Sequence, residues 1–195
     1  MNIQHEFDKL IASRRSIFPQ NYTGERVDDA IVRKMLENAN CAPTHKLTEP
    51  WRFVVYTGKG LVRLAKAQSD VYKKVTQANG SFKEERYHNL LTKPLQSSHI
   101  IAICVKRDER KSLPEVEEIG AVFCAVQNMH LTATAYGVGA YLSTGGITYF
   151  EEAKEVFGLG KDDKLLGFFH IGMPTAIPPA STRKPIVDKI IWWKD

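Results

Sequence analysis

The sequence predicts one domain, spanning residues 1–195, that mixes α-helices and β-strands. Three observations carry this prediction. A chain of 195 residues with 43% hydrophobic content can bury a substantial core yet is short enough for one domain. Apolar residues recur at helical spacing in several stretches. Between them lie short runs of β-branched and aromatic residues closed by glycine or proline, the pattern of strands.

Taken in order, Ile3, Phe7, Leu10 and Ile11 mark a first helix, and Val27, Ile31, Met35, Leu36 and Ala39 mark a second. The loop from Arg14 to Arg26 separates them. After Pro43, the run Trp51-Arg52-Phe53-Val54-Val55-Tyr56 reads as a strand closed by Gly58. Trp51 and Phe53 are expected in its core-facing packing. The polar stretch from Asp70 to Lys93 is expected to be helical or mobile and is a candidate lid. His99 to Val105, with Ile100, Ile101, Ile103 and Val105, reads as a second and more buried strand.

From about Leu113 to Tyr136, the residues Ile119, Val122, Phe123, Val126, Met129, Leu131 and Ala133 cover much of a helix circumference before Gly137 offers a stop. Such a helix is expected to be central and buried on more than one side. A strand at about Ala140 to Leu142, a helix from about Phe150 to Phe157 and a strand from Leu165 to Ile171 complete the core. The proline-rich stretch from Pro174 to Pro185 is not expected to form a regular helix. The tail ends in Ile190-Ile191-Trp192-Trp193, large apolar groups at a terminus, which call for a surface to cover. A partner subunit is the candidate.

Composition narrows the function classes. Cys41, Cys104 and Cys124 stand far apart with no C-x-x-C spacing, which suggests neither a disulfide framework nor a zinc ribbon and fits a reducing cytosol. No stretch approaches the roughly 18 apolar residues of a membrane span, and the first ten residues mix charged and apolar groups unlike a leader. The expected location is the cytoplasm. The net charge is +5, but basic residues interleave with acids, as in Lys106-Arg107-Asp108-Glu109-Arg110-Lys111, so a nucleic-acid face is not expected.

Common catalytic signatures fail one by one. Gly137-Val138-Gly139 has Leu142 where a dinucleotide fingerprint needs its third glycine, and Gly58-Lys59-Gly60 lacks the spacing of a P-loop. The six histidines show no metal-ligand spacing, and no metal site is expected. Leu142-Ser143-Thr144-Gly145-Gly146 is not a serine nucleophile elbow. There remains Arg14-Arg15-Ser16 at the end of the first helix, two guanidinium groups and a hydroxyl able to grip one phosphate, or else a charge complement to the helix dipole. A second basic pair, Arg183-Lys184, follows the proline-rich stretch and reads either as an anion contact or as a solvated turn.

The order of these motifs resembles the nitroreductase family. A helix leads into Arg14-Arg15-Ser16, then come Ala42-Pro43 and Pro50-Trp51-Arg52-Phe53, a long helix ending near Gly137, Gly145-Gly146, and Arg183-Lys184. Ala42-Pro43-Thr44-His45 is similar to the small NAD(P)H-nitroreductase branch. The resemblance covers nearly the whole chain. It implies an α+β fold with a mostly antiparallel central sheet surrounded by helices, and an intertwined homodimer with two FMN molecules at the subunit interface.

Carried over position by position, the resemblance gives Arg14, Arg15 and Ser16 to the FMN phosphate and ribityl chain, and Arg183 and Lys184 to the phosphate. It gives Ser143, Thr144 and Gly145 to the turn against the isoalloxazine ring, and His45 to the FMN of the other subunit. No protein side chain is assigned a catalytic role, because the flavin N5 carries the chemistry.

The implied reaction is ping-pong electron transfer from NADH or NADPH to nitroaromatic, quinone or similar electron-poor acceptors. Dehalogenation, enone reduction and flavin binding without turnover are the alternatives. Two positions depart from the family: Leu47 stands where many relatives have an asparagine, and Phe18 where many have a basic residue near flavin N1 and O2. Arg15 or Lys46 is then the expected substitute for the charge of the reduced ring.

Overall fold

The structure, a computed structural model, describes residues 2–179 and 182–194. Strands β1 (Trp51–Thr57), β2 (His99–Val105), β3 (Gly139–Ser143) and β4 (Lys164–Gly172) form one sheet in the order β1-β2-β4-β3, and each neighbouring pair is antiparallel. β2 lies inside the sheet and is covered on both faces, so all seven of its residues are buried. That is why it reads as an unbroken apolar run and not as an alternation.

The helices are α1 (Ile3–Ser13), α2 (Asp29–Ala39), α3 (Lys59–Ala78), α4 (Glu84–Thr92), α5 (Glu115–Ala135) and α6 (Ala153–Val156). Alternation along the strands sorts them into two layers. Ile101, Ile103, Val105, Ala140, Phe169 and Ile171 face α2 and α5, which supply Val32, Met35, Val122, Val126 and Met129. Ile100, Ala102, Cys104, Leu165 and Phe168 face the other way, toward Leu61, Leu64, Val71 and Tyr72 of α3 and Ala153 beside α6. The α+β class and the antiparallel sheet are as expected.

Three elements differ from the sequence expectation. α3 is a twenty-residue helix that the apolar pattern did not announce, because its buried face also carries Gln68, Ser69 and Thr76. Ser69 and Thr76 satisfy their hydroxyls on the carbonyls of Ala65 and Tyr72, 2.6 Å away in each case. The helix expected from Phe150 to Phe157 is a single turn at Ala153–Val156, with turns before it. α5 buries one face only within its own chain: Glu118, Val122, Ala125, Met129 and Ala133 are inside, whereas Val116 and Phe123 lie open. The long stretch from Asp70 to Lys93 is the end of α3, a short turn and α4.

Trp51 is core, 6% exposed, and donates its indole N–H to Asn40 Oδ1 at 3.0 Å. Pro174–Pro185 forms no regular helix over its described part, and positions 180 and 181 lie outside the described residues. Among the described residues no helix is long and apolar enough to cross a membrane.

Candidate functional site

The first helix stops at Ser13 because Arg14 turns into extended backbone, and the chain then runs along the edge of the sheet, where Ile17 N–H donates to Ala140 O at 2.9 Å. Tyr22 locks this edge segment. Its hydroxyl donates to Ile17 O at 2.8 Å and lies 3.3 Å from His170 O, while its ring rests on two glycines. A Cβ on Gly172 would stand 2.2 Å from that ring and one on Gly139 2.9 Å. Burial raises the Tyr22 pKa, so the hydroxyl stays a donor.

The Arg14-Arg15-Ser16 run divides its labour. Arg15 is consumed by the protein: it donates to Ala12 O at 2.6 Å, Arg14 O at 2.7 Å and Pro179 O at 3.1 Å. It thus caps the end of α1 and ties the proline-rich stretch to it. Arg14 meets Arg183, four positions beyond Pro179. The Arg14 pKa is lowered first by burial and then by the positive charges of Arg183 and Arg15, and no carboxylate among the described residues offsets them. A half-buried guanidinium, Arg14, and an exposed one, Arg183, brought together without an acid among the described residues form a site that favours an anion. Ser16 is exposed beside them. Lys184 is exposed, and its carbonyl accepts from Lys189 Nζ at 3.0 Å; its charge is not among those acting on Arg14.

His130 of α5 underlies this cluster. Its Nε2 donates to Ala140 O at 3.1 Å, and burial, with a contribution from Arg14, lowers its pKa, so a neutral imidazole sits under the arginines.

Four residues beyond Arg14, Phe18 enters a cleft of about 600 Å³. Four residues span at most about 14 Å of chain, so the arginine cluster and the cleft are neighbours. Phe18 packs on Tyr141 with ring centroids 4.5 Å apart. Opposite them, the turn after β3 brings Ser143, Gly145 and Gly146 to the cleft wall, with Thr144 exposed between them. The N–H groups of Thr144, Gly145 and Gly146 reach no backbone acceptor among the described residues, so they remain available to donate. Gly167 makes the turn possible: with φ of +150° it lets Ser143 O approach to where a Cβ would be only 2.4 Å away.

The cleft floor holds two polar side chains that the sequence did not single out. Gln68 of α3 is 5% exposed and its amide has no hydrogen-bond partner among the described residues. His170 of β4 bonds Ser97 Oγ through Nδ1 at 3.0 Å, and burial pushes its pKa down to about 4. α4 closes one side with Arg86, Asn89 and Leu90, flanked by Lys83 and Lys93. Their spacing along the helix was the signal that could have found them, since it places them on one face.

His45 is elsewhere. Its Nδ1 lies 2.6 Å from Glu117 near the start of α5. The residues from Glu117 to His130 put about 20 Å of helix between it and the arginine cluster at 1.5 Å per residue. Lys46 likewise donates to Ser112 O at 3.2 Å, and Leu47 is exposed. Within one chain, neither Arg15 nor Lys46 lines the cleft that Phe18 enters. Lys46, Leu47 and Glu49 all adopt positive φ, at 52°, 53° and 43°, so this exposed turn is strained.

Comparison with known proteins follows the same outline. Residues 11–173 match the model of the nitroreductase family. A Bacillus subtilis protein named "Putative NAD(P)H nitroreductase YfhC" is 29% identical over 181 residues, which cover 92% of this chain and 90% of that protein. The crystal structure of a nitroreductase-like family protein from Bacillus cereus superposes with a TM-score of 0.83 at 26% identity, covering 96% of each chain. A Desulfovibrio desulfuricans "putative nitroreductase in complex with FMN" gives a TM-score of 0.67 at 26% identity, again over 96% of each chain.

Proposed function

The chain belongs to the nitroreductase family, and we propose that it is a cytoplasmic FMN-dependent oxidoreductase, one domain over residues 1–195, working as a homodimer. The observation that carries the reading is the pairing of Arg14 with Arg183 without a neutralising acid among the described residues. A phosphate monoester is the anion that two guanidinium groups and the Ser16 hydroxyl suit, and the Bacillus subtilis and Desulfovibrio desulfuricans relatives bear nitroreductase names, the latter with FMN.

The residues present fit the cofactor. Arg14 and Arg183 hold the phosphate, with Ser16 and Lys184 beside them, and Arg15 fixes the proline-rich stretch that delivers Arg183. The turn Ser143-Thr144-Gly145 offers its N–H groups to the ring, and Phe18 with Tyr141 supplies an apolar wall. His45 belongs to the site of the other subunit. FMN bound there supplies the redox chemistry, accepting electrons from NADH or NADPH and passing them to a flat, electron-poor acceptor.

In this reading donor and acceptor use the same cleft in turn, as ping-pong turnover requires. The protein's work is to position, to donate hydrogen bonds and to limit water, and solvent delivers the protons. Nitroaromatics, quinones and similar acceptors are the proposed substrates; steady-state rates with these and with halophenols and enones separate the chemistries that one fold can host.

The purified protein should be yellow, release FMN on denaturation, and lose its visible absorbance on addition of NADH or NADPH. Arg14→Ala or Arg183→Ala should each weaken FMN retention by about 1.5–3 kcal/mol, the worth of a charge-assisted hydrogen bond. Unchanged FMN occupancy in both variants after dialysis would overturn the phosphate assignment.

A further inference from the structure

The cleft carries a charge pattern that phosphate binding does not use. α4 is anchored by aromatics: Phe82 packs on Tyr72 of α3 and on Tyr87, with centroids 5.9 and 6.0 Å apart, and Lys83 N–H donates to the Tyr72 hydroxyl at 3.2 Å. This pins the start of α4 and points its open face at the cleft, where Lys83, Arg86 and Lys93 line the wall. None of the three pairs with a carboxylate among the described residues, in contrast to Glu84, which pairs with His88 on α4. Glu85 is the single acid on the cleft wall, so the wall keeps an excess of positive charge. Below it, the residue Gln68 is 5% exposed, and its amide, without a hydrogen-bond partner among the described residues, is open to the cleft.

We propose that the cleft selects electron-exchange partners that carry an anionic group, a carboxylate, sulfonate or phosphate, bound by Lys83, Arg86 and Lys93 over the Gln68 amide. The proposal rests on the flavin reading of the same site and names its substrate class. Cations on a concave wall act on an anion at short range with less screening than on open surface, and Gln68 has donors to complete the contact. His170 stays neutral there, so it accepts or donates a hydrogen bond without adding charge. The anion belongs either to the electron acceptor or to the 2′-phosphate of NADPH, and the two sources are separable.

The test compares 4-nitrobenzoate with 4-nitrobenzamide as acceptors, and NADPH with NADH as donors, in the holoprotein and in an Arg86→Gln/Lys93→Gln variant. The ratio of kcat/KM for nitrobenzoate over nitrobenzamide should fall about tenfold or more in the variant, and in the unaltered protein it should fall as salt rises. A Lys161→Gln variant, in the turn before β4 and away from the cleft lining, should keep the ratio. If the NADPH-to-NADH ratio falls instead, the anion is the donor's phosphate.

Calorimetric binding of the two nitro compounds gives a readout that needs no turnover. The carboxylate should bind about tenfold tighter than the amide, and the variant should lose that margin. Loss of neither ratio, or loss of FMN with the substrate ratios intact, would overturn the proposal. A protein that contains no FMN but still prefers the carboxylate in calorimetry would overturn the flavin reading while retaining the anion site.

Discussion

Burial of His170 behind Ser97 holds its imidazole neutral, with the pKa pushed down to about 4 from an ordinary value of 6.5. The unfolded chain takes up a proton below about pH 6.5 that the folded chain refuses. Stability is therefore full above that pH and declines as pH falls toward 4, by an amount on the order of 3 kcal/mol for this residue. The lowered pKa of His130 acts in the same direction. Urea unfolding at pH 7.5 and 4.5 should show the loss, and a His170→Gln variant should show a shallower one; equal slopes in both proteins would rule out His170 as the source. At Gly167 the constraint is steric instead. A Gly167→Ala variant must place Cβ against Ser143 O in a backbone conformation that disfavours it, and should lose more than about 1 kcal/mol of stability together with FMN affinity. Retention of both would mean that the Ser143 turn yields more freely than its packing suggests.

At the scale of elements, the start of α5 is held by a buried ion pair. Arg107 Nε lies 2.5 Å from Glu118 Oε2, and the Glu118 side chain is fully inside. Glu118 Oε1 also accepts from Asp108 N–H at 2.9 Å, Arg107 donates to Leu113 O at 2.8 Å, and Asp163 accepts from Arg107 N–H at 2.9 Å. These bonds tie the loop after β2, the first turns of α5 and the approach to β4 into one knot. Removing one partner leaves a buried charge, so Arg107→Ala should cost about 3–5 kcal/mol in chemical denaturation, and Arg107→Met with Glu118→Met should recover part of it. No recovery in the double variant would place the energy in the other hydrogen bonds of the knot. The elements themselves were legible to different degrees for physical reasons. β2 matched its expected bounds because an interior strand leaves an uninterrupted apolar run. α3 was not legible because polar residues interrupt its buried face, and those satisfy themselves on the helix's own carbonyls. α6 was overestimated because Phe150 and Phe157 are apolar for packing, not for helical periodicity.

Across the whole molecule, the arginine run was legible because Arg14-Arg15-Ser16 is contiguous, whereas the cleft was not, because Phe18, Gln68, α4, Ser143 and His170 come from five separate segments. The same scale explains what one chain leaves undone. Ile3 and Phe7 of α1, Phe123 of α5, and Ile191, Trp192 and Trp193 of the tail are exposed, and His45 stands about 20 Å along α5 from the arginine cluster. Exposed apolar groups on this scale call for a covering surface, and a second copy that covers them also gives His45 a route to the neighbouring site. Each site would then take Arg14 from one chain and His45 from the other. A homodimer of Arg14→Ala chains and a homodimer of His45→Ala chains would each carry one lesion in both sites. A heterodimer of the two would place both lesions in one site and leave the other intact. Co-expression with two distinct tags, followed by purification on both, should therefore yield a heterodimer that retains close to half the FMN and half the NAD(P)H-dependent activity of the unaltered dimer. If His45 served its own chain, every site in the heterodimer would carry one lesion, and the occupancy would only average the two parents.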